Sequence, residues 1–268
     1  MRVVDLDRDM SDVIPTGTTR DSNFLFERMT EVTLACAEPG PGRRILDVAS
    51  GFGQDSLALA ARGAWVVGAE PSARMTAWAR LVSEKQSAAG AAGHGSATWV
   101  RGWSDALPFR SACFDAALCK GAIDHFDRPE LAIGEMARVV RPGGRVVLAI
   151  ANFESIACRL ARWQDAVATW RGRPPGRGRR HYDVPADHFT RYDVDLMREQ
   201  AARFVDLDRV IGVSMGWGFG PWTRATGRLP EGVAQRALQW LDAWAERSPE
   251  LADVVVLVGR PRTSRSAA

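Results

Sequence analysis

From residue 43 to residue 152, short apolar runs alternate with helix-patterned segments, and this alternation constrains the fold more than any other feature of the chain. A strand, a helix and the next strand, repeated, build a parallel sheet with helices on both faces. The strands read as RRILDVA (43–49), AWVVGAE (64–70), ATWVRG (97–102), FDAALCK (114–120) and RVVLAIAN (145–152). Such continuous apolar runs suit strands buried on both faces. Helices lie between them: DSLALAARG (55–63), stopped by Gly63; a segment opened by Pro71 and Ser72; and RPELAIGEMARVVRPGG (128–144), closed by Pro142-Gly143-Gly144.

Around this core the pattern changes. Residues 1–19 read as a loosely held polar arm, 20–37 as an amphipathic helix, and 88–96 as a glycine-rich link. The second half reads as a helix (154–170), a Pro/Gly/Arg loop (171–188), a helix (189–204), a strand (208–218), a helix (232–247) and a strand (253–261). The tail TSRSAA is expected to be disordered. The expected organisation is an N-terminal arm and helix over 1–42 and a core over 43–152. A helical, arginine-rich lid and a helix follow over 153–203, and strands and a helix over 204–268 complete the same domain.

Composition narrows the function classes. With 268 residues, 46% hydrophobic and 25% charged, the chain suits a soluble globular fold with a sizeable core. Only Lys85 and Lys120 among the 35 basic residues are lysines, and the net charge is only +3. The basic balance therefore reflects arginine-rich composition, and no nucleic-acid partner is expected. Cys36, Cys113, Cys119 and Cys158 lie far apart with no C-x-x-C pair, so no metal site is expected and a reducing cytoplasm fits. The charged start MRVVDLDRDMSD has no apolar signal core, and no run of about 18 apolar residues exists, so no membrane partner is expected.

Chemistry concentrates at the end of the first strand, in ILDVASGFGQDS (45–56). In open α/β sheets, ligands bind beyond the carboxyl ends of the strands where the strand order reverses. Gly51 and Gly53 let a ligand approach the backbone, and the next helix opens with free N–H groups. A tight strand–helix turn without a ligand would look similar. Glu70, closing the second strand, is placed to accept both ribose hydroxyls of an adenosine; alone it would read as a helix-start charge.

Further motifs follow in order: the loop GWSDALPFRSACFD (102–115), then the fourth strand, then Arg141-Pro142-Gly143-Gly144 before the fifth. Together with Leu46-Asp47-Val48-Ala49-Ser50-Gly51-Phe52-Gly53 and Glu70, they resemble class I S-adenosylmethionine-dependent methyltransferases over residues 43–152. The resemblance implies a Rossmann-like three-layer α/β sandwich. Its seven-stranded sheet is mostly parallel with an antiparallel last strand, under a helical N-terminal cover and an inserted lid. It also implies S-adenosyl-L-methionine as cofactor. Asp47, Ser50, Gly51 and Gly53 would line the methionine part and the backbone crevice, and Glu70 would hold the ribose. Pro71 and Met75 would border the adenine, with Ser104 and Asp105 at its edge. Two positions depart from the family pattern. Ala49 stands where the first glycine of the turn is usual, and Trp103 where an aspartate is usual. Asp105 would then take that role, or Trp103 would stack on the ring.

Methyl transfer from a sulfonium needs a positioned nucleophile, exclusion of water and, for a hydroxyl or thiol, a base. Asp124 and His125, just after the fourth strand, read either as an acid–base pair or as a capping acid and a packing histidine. Lys120 reads as a cofactor-side backbone contact or as the partner of an acid. His181, Tyr182 and His188 sit in or beside the arginine-rich loop, as further base candidates or solvated loop residues. Met215 to Trp222 reads as a pocket wall or as core. The expected reaction is methyl transfer to a small molecule. The alternatives are a nicotinamide-dependent oxidoreductase using the same turn, and a non-catalytic cofactor-binding protein.

Overall fold

The computed structural model of the protein describes residues 18–88, 95–174, 178–186 and 188–262. The N-terminal arm up to residue 17, most of the glycine-rich link, part of the arginine-rich loop and the C-terminal tail lie outside the described residues. The elements run α1 (Arg20–Cys36), β1 (Arg44–Val48), α2 (Gln54–Ala61), β2 (Trp65–Ala69), α3 (Ala73–Ala88), β3 (Ser96–Val100) and β4 (Phe114–Lys120). Then come α4 (Pro129–Val139), β5 (Val140–Ala151), α5 (Ile156–Trp170), α6 (Val194–Ala202), β6 (Val205–Val213), α7 (Gly220–Arg228), α8 (Glu231–Arg247) and β7 (Val254–Pro261).

One seven-stranded sheet runs in the order β3-β2-β1-β4-β5-β7-β6. Only β7 is antiparallel, to both β5 and β6. The order reverses between β1 and β4, so the crevice for a ligand opens beyond their carboxyl ends. The alternation expected of buried strands explains the two cores. Ile45 of β1 and Leu118 of β4 pack under α1 and α2 with Leu25 and Leu59. Leu46, Val48 and Leu148 point the other way, against Ile133 and Met136 of α4 and Met197 of α6. Each such side chain, fully withdrawn from water, contributes about 1.5–3 kcal/mol.

Three elements are bounded differently from the sequence reading, and one helix was not expected. The helix expected to end at Gly144 stops at Val139, and Arg141-Pro142-Gly143-Gly144 belongs to β5. The cause is Asp115 on the neighbouring strand. Its Oδ1 lies 2.7 Å from Arg141 Nε, and its Oδ2 accepts the Arg44 N–H at 2.6 Å. The register jumps there, with Val140 opposite Phe114 but Arg145 opposite Ala116. Gly144 crosses so close to Asp115 that a Cβ would fall 2.6 Å from its carbonyl oxygen. The acid of the FD pair and the RPGG bulge thus form one structural unit.

The helix expected from 189 begins only at Val194, capped by Asp193, whose side chain accepts from Leu196 N at 2.8 Å. The strand expected over 208–218 is Val205–Val213. It ends at Ser214, whose φ of 57° turns the chain into the Met215–Phe219 loop. The following Gly220–Arg228 helix, with Pro at its first turn, had no counterpart in the sequence reading.

Candidate cofactor and acceptor site

The site is built on the carboxyl edge of the sheet. β1 ends at Val48 and the chain turns through Ala49, Gly51 and Gly53, with φ of 56°, 52° and 79°. The turn is tied to the end of β2 and to the residue that follows it. Ala49 N donates to Ala69 O at 2.9 Å, and Gly51 N donates to Glu70 Oε2 at 3.0 Å. The other oxygen of Glu70, Oε1, accepts Ser72 N–H at 2.9 Å at the start of α3. Burial pushes the Glu70 carboxyl up, against the pull of these two N–H groups. Asp47 is 3% exposed and accepts from Ser56 Oγ at 2.7 Å. Burial and the neighbouring Asp55 push its carboxyl up to about 7.

Ala49 carries the cost of a left-handed conformation in a residue with a Cβ, about 1–2 kcal/mol. Ala49→Gly is therefore expected to stabilise the fold by up to about 1 kcal/mol, net of glycine's extra unfolded freedom. Thermal unfolding checks this, and a lowered midpoint would mean that the methyl group packs favourably.

Beneath the turn lies a residue the sequence reading passed over. Trp99 of β3 is buried against Gly53 and Gly68, where a Cβ would meet its ring at 2.8 Å and 2.7 Å. Its Nε1 and the nearby Ser50 Oγ are buried polar atoms without a hydrogen-bond partner. Above the turn, a Cβ on Gly51 would meet nothing within 4 Å. The backbone is thus open to a ligand on one side and carries unsatisfied polar groups on the other.

The remaining expected cofactor residues have these surroundings. Pro71 O accepts from Arg101 Nε at 3.2 Å, and Met75 is buried in the first turn of α3. Trp103 is half in solvent, so its ring lies outside the core. Ser104 is half-buried, and the Asp105 carboxylate pairs with Arg128 at the start of α4. The Lys120 ammonium pairs with Asp55 at 2.8 Å and donates to Thr30 Oγ1 at 2.6 Å. Its side chain thus has an acid partner and locks α1 to α2.

Past β4 the chain makes a short 3-10 turn, Ile123–His125. Asp124 there is 2% exposed. Its carbonyl accepts Phe189 N–H at 2.7 Å and Thr190 N–H at 3.3 Å, which docks the end of the arginine-rich loop onto the turn. Docking brings His188 Nδ1 to 2.9 Å from Asp124 Oδ2, while His125 Nε2 lies 3.9 Å from Oδ1. The two imidazoles meet edge to face with centroids 4.2 Å apart. The expected Asp124–His125 pair is therefore part of an Asp124–His188–His125 cluster. Its ligand atoms lie within 4.8 Å of one another, close enough to hold a divalent cation that the sequence reading did not expect.

His181 sits farther along the same edge, its ring 4.8 Å from that of Trp217 and pressed onto Gly218. Burial lowers its pKa, with the nearby Arg179 acting the same way. Trp217 N donates to Asp253 Oδ2 at 2.9 Å, and burial pushes that carboxyl up to about 7. Asp253 accompanies Asn152 at the end of β5, since Asn152 N donates to Asp253 O at 2.8 Å. Tyr182 and Arg180 turn away to Asp165 of α5, at 2.9 Å and 3.3 Å.

A family model described as a methyltransferase domain matches residues 46–148, the stretch that carries the turn, Glu70 and the end of β4. Residues 46–148 belong to the class I S-adenosylmethionine-dependent methyltransferase family. The chain is 35% identical over 116 residues to a demethylmenaquinone methyltransferase of Clavibacter sepedonicus, over 43% of this chain and 44% of that protein. The chain thus matches less than half the length of this curated relative. Among solved structures, a geranyl diphosphate C-methyltransferase of Streptomyces coelicolor A3(2), in complex with S-adenosyl-L-homocysteine, superposes with a TM-score of 0.56 at 14% identity. It covers 89% of this chain and 80% of its own. The [4+2]-cyclase SpnF superposes equally well, at 0.56 and 17% identity, over 87% of this chain and 80% of its own. Both likenesses concern the fold.

The family's cofactor, S-adenosyl-L-methionine, fits the residues present. The open face at Gly51 and the buried acids Asp47 and Glu70 flanking the turn supply what an adenosine with a cationic amino-acid tail requires. Among the described residues, no helix is long and apolar enough to cross a membrane.

Proposed function

We propose that the protein is an S-adenosylmethionine-dependent methyltransferase acting on a small molecule. The observation that carries this reading is the pair of buried acids, Asp47 and Glu70, flanking an open glycine turn at the switch point of the sheet. In this reading Glu70 holds the ribose hydroxyls while it keeps Gly51 and Ser72 in place. Asp47 and Ser50 face the methionine part, Pro71 and Met75 border the adenine, and Trp103 stacks at the rim. Bound there, the cofactor supplies a methyl group already activated on a sulfonium. The chain's task is to hold an acceptor in line with it and to remove the acceptor's proton. The Asp124–His188–His125 cluster lies just beyond β4. The imidazole of His188 takes the proton, and the Asp124 carboxylate orients the ring and stabilises its charged form. Trp217 and Phe153 line the rest of the edge and help exclude water.

Titration with S-adenosylmethionine, S-adenosylhomocysteine and NAD in parallel tests the reading. Micromolar binding of the first two and none of NAD is expected; binding of NAD alone would favour an oxidoreductase. The same titration reads Asp47. Its carboxyl, at about 7 when folded and unliganded, is partly protonated at neutral pH. A cationic ammonium beside it favours the carboxylate, so binding near pH 7 releases part of a proton. Buffers of different ionisation enthalpy expose this release as a buffer-dependent heat, which Asp47→Asn removes. In the unliganded protein the sign is also fixed. With the folded value above the unfolded one, Asp47 favours folding at low pH, and that contribution is lost as pH rises from about 4 through 7.

A further inference from the structure

Among the described residues of helix α5, Ala157 and Cys158 at its start are the buried ones. Beyond them it presents Leu160, Trp163, Val167 and Trp170. These positions follow one another by three, four and three residues, and on an α-helix they fall within an arc of about 80°. Trp163 is 67% exposed and Trp170 is 83% exposed, extreme values for the largest apolar side chain. The charges on the helix are sorted around this stripe. Arg159 borders it on one side, with its guanidinium 3.9 Å from Glu154, and Arg171 borders it on the other. Arg173 follows in the exposed turn. The helix's one acid, Asp165, lies away from the stripe and is held by Tyr182 and Arg180.

A helix with tryptophan and leucine on one face, arginines at its borders and its acid turned away matches the pattern of helices that lie in a lipid headgroup region. Tryptophan favours that depth because its ring is apolar and its N–H remains hydrated. We propose that this face of α5 is a peripheral attachment site for an anionic lipid surface. The bordering arginines favour that occupant over a second copy of the chain, because pairing two such stripes would bring arginine against arginine. The attachment requires no membrane-spanning segment, and it stands independently of the methyl-transfer reading.

Flotation of the full chain with vesicles tests it. One set is phosphatidylcholine alone, and the other contains phosphatidylglycerol as well. The chain is expected to float with the anionic vesicles, weakly with the neutral ones, and less at high salt. A Trp163→Ala/Trp170→Ala variant is expected to lose about tenfold or more in vesicle affinity with its thermal midpoint unchanged, since both rings lie outside the core. A Trp240→Ala/Trp244→Ala variant, which removes another exposed pair 5.9 Å apart on α8, is expected to float like the wild type. Equal failure on both vesicle types, or unchanged flotation of the α5 variant, would overturn the proposal. Concentration-dependent dimerisation lost in the α5 variant, without vesicle binding, would overturn it in favour of a second copy.

Discussion

Glu70→Ala is expected to weaken S-adenosylhomocysteine binding by on the order of 100-fold, with no comparable loss of fold. Two effects add. The carboxylate leaves the ribose, and the N–H groups of Gly51 and Ser72, which it now accepts at 3.0 Å and 2.9 Å, lose their partner. Hydrogen bonds to a charged group are each worth about 1.5–3 kcal/mol, and about 1.4 kcal/mol is a factor of ten. The turn itself would loosen, because Gly51 is tied to β2 through this side chain. Glu70→Gln keeps the shape and one good acceptor, so it should fall between the two. Calorimetry on both variants, with circular dichroism to confirm folding, measures this. Wild-type affinity in the alanine variant would remove Glu70 from the site.

The second large effect is expected at Asp124. Asp124→Asn keeps the volume but removes the carboxylate that faces the proposed base, His188, whose Nδ1 lies 2.9 Å away. A base disabled in this way costs about 10²- to 10⁴-fold in turnover. Release of S-adenosylhomocysteine with the first acceptor found measures the rate, and calorimetry should show cofactor affinity nearly unchanged. If turnover survives in both Asp124→Asn and His188→Ala, the cluster serves only to dock the loop. If both variants lose cofactor affinity as well, the cluster belongs to the binding crevice instead.

The parts of this site that were legible in the sequence are those whose meaning is local. β1 and β2 announce themselves as apolar runs, and Asp47 and Glu70 end them, so the strands carry the acids to one edge. Gly51 and Gly53 mark a turn that needs positive φ, as the structure has it. What escaped the reading depends on contacts between distant segments. Nothing near His188 says that it will meet Asp124, because the pairing is made by backbone bonds from Phe189 and Thr190 to a turn more than sixty positions earlier. Trp99 reads as an ordinary strand residue until Gly53 and Gly68 leave room for its ring. The RPGG segment looks like a helix stop, and only Asp115 on the next strand makes it a bulge. The short helix after Phe219 is masked by glycine and proline, which signal a turn when read without their neighbours.

The docking of Phe189 and Thr190 on the Asp124 carbonyl has one more consequence. The inner end of the loop is pinned by its own backbone bonds, whereas the portion before it is fastened through Tyr182 and Arg180 to Asp165 and through the His181 ring to Trp217 and Gly218. Length and composition upstream of His188 are thereby uncoupled from the placement of its ring. Lengthening a surface loop costs little, so the fold holds an exchangeable module beside a fixed Asp124–His188 pair. On the proposed reading, acceptor preference can diversify in the outer loop while His188 stays where it is.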